Sequence, residues 1–128
     1  MIKKVMVKKL KPAAKDKRGL IYDILETSVK HVGYITFVKN AVRGKHYHKK
    51  STQFTYVISG KIELITKDLK PGSRLKKVVM TKGDFALIPP LVIHAYRALV
   101  SSEILDMTTE SRVGNGYEVD TTRVDLEI

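Results

Sequence analysis

Three of the four histidines and one glutamine stand at positions from which they could hold a metal ion. His46 and His48 are two residues apart, Gln53 follows five positions later, and His94 comes from the second half of the chain. Residues two apart share a face of a strand, whereas in a helix they point about 200° apart. The run Gln53–Ser59 is β-branched and aromatic, so it favours a strand. Three imidazoles and an amide oxygen in one interior predict a divalent transition metal, with Zn, Fe, Mn or Ni as candidates.

The same residues permit a site without metal. His46 and His48 could instead exchange protons with a ligand, because the pKa of imidazole lies near neutrality. Gln53 is a neutral and weaker ligand than a carboxylate, and its alternative role is a hydrogen bond that orients a histidine. One histidine cannot be a metal ligand and a base at once. Metal content therefore separates the two interpretations.

Two further residues are candidates for contact with a substrate. Arg43 has a two-pronged guanidinium that suits a phosphate or a carboxylate, although it could equally be a solvated residue at the rim of the fold. Tyr96 lies two residues after His94, so both would share one face of a strand. There Tyr96 could donate a proton or simply pack. A site with this composition predicts a small, anionic substrate.

Short strands separated by turn residues account for most of the chain. The patterns predict about ten strands and no convincing helix, which indicates an antiparallel all-β barrel or sandwich. Ser59-Gly60 is typical of a tight turn, so residues 53–59 and 61–65 are predicted to pair as a hairpin. Towards the ends, residues 12–18 are predicted as a loop, 20–26 as a strand, 111–116 as a loop, and the tail as a final strand or edge.

These residues resemble the two sequence motifs of the cupin family. The first motif is His-x-His followed by an acidic residue and a glycine, and the second is a glycine followed by Pro-x-Gly and a histidine. In this chain they read His46, His48, Gln53, Gly60 and then Gly83, Pro89, Leu91, His94. Gln53 stands where most cupins have Glu, and Leu91 stands where they have Gly. The resemblance covers residues 40–100 and implies a cupin-type antiparallel β-barrel, also called a double-stranded β-helix or jelly roll.

A closer resemblance is to cupins that act as sugar 3,4-ketoisomerases or dTDP-sugar epimerases. Metal-free ketoisomerases carry Asp-x-Arg-Gly-x-Leu near the start and later Arg-Gly-x-His-x-His-Lys, and this chain is similar at residues 16–20 and 43–49. The resemblance implies His46, His48 and Tyr34 as acid–base groups and Arg43 as a substrate-binding group. His94 departs from those members, which have a non-ligand near that position. Metal cupins fused to sugar-nucleotide reductases also share Arg-Gly-x-His-Tyr-His, so a sugar substrate does not require an empty site.

Composition limits the classes of protein to consider. The chain has 128 residues, which suits one domain, and 43% of them are hydrophobic. It has no run of about 18 apolar residues and no apolar signal core, so we expect a cytoplasmic protein without a membrane span. The absence of cysteine excludes disulfides and thiolate ligands. The net charge of +11 fits a lysine-rich surface, common in heat-adapted proteins, better than a nucleic-acid interface, because the lysines are scattered.

Three functions remain open from the sequence. The first is an isomerase or epimerase of a nucleotide-linked keto-sugar with a histidine-rich metal site inside the barrel, in which the metal would polarise the carbonyl while Tyr96 or Tyr34 moves the proton, or, if the site is empty, His46 or His48 is the base. The second is a metal-dependent cupin dioxygenase or hydrolase of a small acid, and the third is a non-catalytic cupin that binds a small ligand. A fold does not decide among these, so the sequence leaves open whether the chain is an enzyme. We also expect a homodimer, because Phe54, Tyr56 and Ile58 form an apolar row opposite Gln53 that would need cover if exposed.

Overall fold

Short strands dominate the computed structural model, which describes residues 4–128. The strands are β1 (Met6–Lys9), β2 (Ala14–Asp16), β3 (Gly19–Ile21), β4 (His31–Phe37), β5 (Val42–His48), β6 (Gln53–Ser59), β7 (Lys61–Asp68), β8 (Lys76–Thr81), β9 (Asp84–Ile88), β10 (Val92–Ala98), β11 (Ser102–Thr108) and β12 (Thr121–Arg123). A short helix, α1 (Gly116–Asp120), precedes β12.

Two five-stranded antiparallel sheets face each other across one core. The first has the strand order β1-β9-β6-β11-β4, and the second has the order β12-β5-β10-β7-β8. Alternate side chains point between the sheets, and Val57 and Ile104 from the first sheet pack with Ile62 and Leu64 from the second. All four are fully buried. The predicted all-β, antiparallel jelly-roll fold is therefore confirmed, with its strands in two sheets.

The predicted hairpin between residues 53–59 and 61–65 is wrong. β6 pairs with β9 and β11, whereas β7 pairs with β8 and β10. Gly60, at φ +93°, turns the chain from one sheet into the other, and a Cβ there would collide with Ser102. Burial explains the difference, because β6 is largely buried on both faces and two non-local partners cover more of its apolar surface than a local hairpin would.

The predictions for the flanking segments also need correction. Residues 12–18 are not a loop, because β2 and β3 form a small exposed hairpin in which the Asp16 carboxylate accepts a hydrogen bond from the backbone N–H of Arg18 at 2.8 Å. The strand predicted over 20–26 ends at Ile21. A helix, α1, follows the predicted 111–116 loop. Asn115 stands at its N-cap position and Glu118 in its first turn, but no side chain caps its start, and five residues are too few to show a helical period. Within residues 4–128, no helix is long and apolar enough to cross a membrane.

The apolar row of β6 is partly covered by the chain itself. Phe54 is buried against Phe85 and Met107 on the outer face of the first sheet, and Ile24 and Leu25 pack against this cluster. The segment that follows β3 therefore shields part of the row. This cover leaves less apolar surface for a partner than the row alone predicted.

Candidate active site

A β-bulge in β5 aligns Arg43 with His46 on the inner face of the second sheet. In a regular strand, residues three apart point to opposite faces. Here Gly44, at φ +97°, and the residue after it shift the register, so that His46 pairs with His94 while Arg43 pairs with Tyr96. A Cβ on Gly44 would lie 2.8 Å from the carbonyl oxygen of His94, so this close approach requires glycine.

The three predicted histidines meet between the sheets. The ring centroid of His46 lies 4.9 Å from that of His48 and 4.7 Å from that of His94, and the last two are 5.3 Å apart. One candidate ligand nitrogen from each ring lies within 4.8 Å of the others. His48 and His94 are buried, whereas His46 is half-buried and lines a pocket. The structure therefore brings the predicted trio together and leaves His46 as its most accessible member.

Hydrogen bonds hold His48 at both ring nitrogens. Nε2 lies 2.9 Å from Oε1 of Gln53, and Nδ1 lies 3.2 Å from Oγ1 of Thr121. Because an amide oxygen only accepts, Nε2 donates to Gln53 and the Thr121 hydroxyl donates to Nδ1. Burial lowers the pKa of His48, although the hydrogen bond to Gln53 opposes that shift. The ring is therefore neutral near pH 7 and fixed in orientation.

Gln53 joins His48 to Tyr96. The amide Nε2 of Gln53 donates to the Tyr96 hydroxyl at 3.2 Å, and this hydroxyl lies 2.5 Å from Oγ1 of Thr55. Burial raises the pKa of Tyr96, and the nearby Asp106 carboxylate acts in the same direction, so the hydroxyl keeps its proton. This arrangement fits the second role considered for Gln53, a hydrogen bond that orients a histidine.

His94 has one ring nitrogen without a protein partner. Nδ1 lies 3.1 Å from the backbone oxygen of Val92 and donates to it, whereas the buried Nε2 has no hydrogen-bond partner. Buried polar atoms almost always have one. Burial lowers the pKa of His94 well below its usual value, so Nε2 keeps a free lone pair. A metal ligand requires a nitrogen of this kind.

The residues fit a metal ion after one change of tautomer. With its hydrogen on Nδ1, which lies 3.7 Å from Oδ2 of Asp120, His48 would have a lone pair on Nε2 beside Oε1 of Gln53. Three imidazoles and one amide oxygen suit a divalent transition metal. His46, His48, His94 and Gln53 therefore form a donor set compatible with Zn, Fe, Mn or Ni.

His46 is the imidazole that a ligand can reach. Its ring forms part of the wall of a cavity of about 360 Å³. The Tyr117 ring packs edge-on at 6.1 Å, with its hydroxyl 3.5 Å from Nδ1 of His46. Burial lowers the pKa of His46 to about 4, and the neighbouring His48, Arg112 and Arg123 act in the same direction. The ring is therefore neutral near pH 7, as both a base and a metal ligand must be.

Arginines supply most of the charge around this cavity. Arg43, Arg112 and Arg123 line it, and the guanidinium carbons of the last two lie 4.8 and 5.9 Å from the centroid of the Tyr117 ring. Asp106 is the only carboxylate among the lining residues that the structure describes. The excess of positive charge favours an anionic ligand.

Sequence reasoning missed several residues of this wall. They are Asp106, Arg112, Tyr117 and Arg123. Asp106 could have been found, because it stands at an inward position of β11 between the buried Ile104 and Thr108. The other three come after β11, with Arg112 in an irregular segment, Tyr117 in α1 and Arg123 in β12. No local pattern indicates that this part of the chain returns to the pocket.

Tyr34 lies outside the pocket. It pairs with Leu105 on the outer face of the first sheet, and 58% of it is exposed. Its hydroxyl donates a hydrogen bond to Glu103. The acid–base role that the resemblance implies for Tyr34 has no geometric support within one chain.

A domain family matches this arrangement of strands and motifs. The Cupin domain matches residues 33–108, which is more than half of the chain. The chain belongs to the cupin family. Comparison with curated proteins found no match.

Solved structures of sugar-nucleotide enzymes are similar to this chain. QdtA, a sugar 3,4-ketoisomerase from Thermoanaerobacterium thermosaccharolyticum solved in complex with TDP, is 27% identical, with a TM-score of 0.77 over 97% of this chain and 90% of that chain. The dTDP-4-dehydrorhamnose 3,5-epimerase from Sulfolobus tokodaii is 20% identical, with a TM-score of 0.74 over 97% of this chain and 81% of that chain. The second likeness establishes the fold alone.

Proposed function

We propose that the protein is an isomerase or epimerase of a nucleotide-linked keto-sugar. The similar ketoisomerase supports this class of substrate, because it binds TDP and its fold matches nearly the whole of this chain. The three arginines at the cavity support a diphosphate ligand, since guanidinium groups bind phosphate with two parallel hydrogen bonds.

The reaction moves a proton beside a carbonyl group. A base takes a proton from the carbon next to the carbonyl, and the electron pair becomes that of an enolate. Return of the proton to the neighbouring carbon moves the carbonyl, with a hydroxyl proton passing between the two oxygens, whereas return to the opposite face of the same carbon inverts that centre. Both outcomes balance without an oxidant or a reductant, and both need a neutral base in a protected site.

His46 carries this proposal, because it is a neutral imidazole that lines a cationic cavity. It is the proposed base. Tyr96 keeps its proton and is proposed to hydrogen-bond the enolate oxygen as charge develops there. His48 is bound at both nitrogens and is proposed to position the site through Gln53. Arg43 is the proposed diphosphate-binding residue.

Two measurements test the proposal. Calorimetry should detect binding of TDP, and NMR in D₂O should detect deuterium entering the sugar ring of TDP-4-keto-6-deoxyglucose when the protein is added. Deuterium incorporation reports proton removal even when the product resembles the substrate. A protein that neither binds TDP nor catalyses exchange would contradict the proposed function.

A metal-dependent cupin reaction is the second candidate, and the partnerless Nε2 of His94 favours it. A divalent metal held by His46, His48, His94 and Gln53 would polarise a carbonyl or bind oxygen, as in an oxygenase or a hydrolase of a small acid. Tyr96 would then be the proposed proton donor in the wall, because His46 would be occupied as a ligand.

Metal content separates a mechanism with His46 as the base from one with His46 as a metal ligand. Elemental analysis of untagged protein should find about one metal per chain in the second case, and His94→Ala should lower that value without unfolding the protein. The matched control is His31→Ala, because His31 is outside the cluster. Protein that stays metal-free after incubation with each of the four metals would exclude this candidate.

We also propose that the chain forms a dimer through the outer face of the first sheet. Val32 and Tyr34 are 60% and 58% exposed on this face, beside the cluster around Phe54. Neighbouring exposed apolar side chains favour association. Sedimentation velocity at micromolar concentration tests this, and a monomer would contradict it.

A further inference from the structure

Asp106 is a buried carboxylate with one unused oxygen. It lies in the middle of β11, opposite Thr55 of β6, and only 1% of it is exposed. Its Oδ2 lies 3.1 Å from Nη2 of Arg112, whereas no protein donor reaches Oδ1. A buried acceptor without a donor is costly, so Oδ1 is poised to accept a hydrogen bond from a ligand.

The unused oxygen belongs to the wall of the candidate active site. Asp106 lines the same cavity as His46 and Tyr96. Burial raises the pKa of Asp106, while the Arg112 guanidinium opposes that shift. Either protonation state keeps one oxygen able to accept, because a carboxylic acid retains its carbonyl oxygen. Asp106 therefore offers a ligand an acceptor in a wall whose other charged groups are donors.

Building on the proposed function, we infer that Asp106 binds a hydroxyl group of the substrate's sugar through Oδ1, while Arg112 holds the carboxylate in place through Oδ2. A hydroxyl can donate to a carboxylate, whereas a phosphate is repelled by it. Asp106 thus accepts a hydrogen bond from a hydroxyl, whereas the exposed Arg43 donates hydrogen bonds to phosphate oxygens. The pair orients the ligand, with its diphosphate at the arginine and a sugar hydroxyl at the inner wall.

A hydrogen bond from the sugar to Asp106 would restrict which sugars the site accepts. The sugar must keep at least one free hydroxyl that reaches the inner wall near His46. A sugar in which that hydroxyl is removed or methylated would leave Oδ1 without a donor, and binding sites that hydrogen-bond a hydroxyl discriminate strongly against analogues that lack it. Asp106 is therefore a specificity-determining residue that recognises the sugar.

The test compares two ligands in matched variants. TDP lacks the sugar, and TDP-glucose carries it with all its hydroxyls, so the ratio of their Kd values isolates recognition of the sugar. Asp106→Asn keeps the shape, but because Arg112 only donates, the amide oxygen should face Arg112 and the NH₂ group should take the place of Oδ1. Replacing that acceptor by a donor should lower the preference for TDP-glucose over TDP about tenfold. Glu63→Gln is the control, because Glu63 lies 3.6 Å from Arg97 in a partly buried acid–arginine pair that does not line the cavity.

The inference about Asp106 would be overturned if the ratio of the two Kd values in Asp106→Asn stayed within twofold of the wild-type ratio. The proposed function would still stand in that case, provided that the wild-type protein binds TDP. Wild-type protein that binds neither ligand would overturn both. The wild type also provides a test that is independent of variant folding: the side-chain ¹³Cγ resonance of Asp106 should shift with TDP-glucose and not with TDP. A resonance that responds equally to both ligands, or to neither, would overturn the inference.

Discussion

The inner wall of the pocket and its rim are built on different principles. The inner wall consists of buried side chains on β5, β6, β10 and β11: Gln53, Tyr96 and Asp106, which line the cavity, and His48, Thr55 and His94 behind them. Most of its polar atoms are paired within the wall or with neighbouring strands. The rim consists of Arg43, Arg112, Tyr117 and Arg123, which come from the start of β5 and from the segment after β11 and are only partly buried or exposed.

This difference suggests that the inner wall serves the chemical step and the rim serves ligand binding. Interior hydrogen bonds fix the inner wall, because an unpaired buried polar group is costly. At the rim, Arg123 pairs with Glu118 only at the surface, where ion pairs contribute little, whereas Arg112 is held by the buried carboxylate of Asp106. Changes in the inner wall should therefore alter turnover and stability, and changes at the rim should alter ligand binding. His46 lies between the two regions, and we expect its substitution to affect turnover, as substitutions in the inner wall should.

The largest expected effect is on turnover in His46→Asn. If His46 is the base, the variant loses proton transfer, and the rate of deuterium exchange should fall about 10²–10⁴-fold. The Kd for TDP should change much less, because the proposed diphosphate contacts lie at the rim. Stopped-flow or NMR exchange rates and calorimetric Kd values provide both quantities for the same protein.

The matched control is His31→Asn, which removes an imidazole that lies outside the cluster. It should leave exchange close to wild type. Equal losses of rate in the two variants, or a loss of TDP binding in His46→Asn as large as its loss of rate, would show that the inner wall and the rim are not separable.

The next effect is on stability in Gln53→Met. Methionine keeps the length of the side chain but leaves Nε2 of His48 without its acceptor and the Tyr96 hydroxyl without one donor. Two such losses should cost roughly 2–4 kcal/mol in the free energy of unfolding. Urea titration followed by fluorescence or circular dichroism measures this loss.

Gln53→Glu is the control for this prediction. A glutamate restores an acceptor for His48 and can accept from Tyr96, so its unfolding free energy should lie closer to wild type than that of Gln53→Met. If both variants were equally stable, the hydrogen-bond network would not be what holds the inner wall.

A smaller effect is expected on binding in Arg43→Ala. Loss of one charge-assisted phosphate contact should weaken TDP about tenfold, and the loss should shrink as salt screens the interaction. Arg97→Ala is the matched control, because Arg97 comes from β10 beside Tyr96 but pairs with Glu63 away from the cavity. Equal Kd values for the two variants would assign the diphosphate to another part of the surface.

The contrast between the two regions also explains what the sequence could predict. The inner wall follows from strand periodicity and motif spacing, because His46, His48, Gln53 and His94 alternate on regular strands and must converge. Their convergence was predicted and is found. Pairing of strands was less predictable, since β6 takes two non-local partners that a local turn pattern does not indicate.

The rim could not be predicted from local patterns. The shared face of Arg43 and His46 depends on a bulge that reverses the normal alternation, and only Gly44 hints at it. Arg112 reaches the pocket from an irregular segment whose path depends on tertiary contacts, and Tyr117 reaches it from α1, which at five residues is too short to show a helical period. Regular periodicity therefore predicts the inner wall, whereas tertiary packing alone determines the rim.

The smallest expected effect is a gain in stability in Leu91→Gly. Leu91 has φ +67° in the turn between β9 and β10, and its N–H donates to the backbone oxygen of His48 at 2.8 Å. A left-handed residue with a side chain costs about 1 kcal/mol, which glycine relieves, partly offset by the greater freedom of glycine in the unfolded chain. About half of Leu91 is exposed, so little burial is lost. In urea titration, the free energy of unfolding of Leu91→Gly should be about 0.5 kcal/mol larger than that of Leu91→Ala, which keeps the strained backbone. Equal free energies of unfolding would mean that the turn before His94 carries no strain.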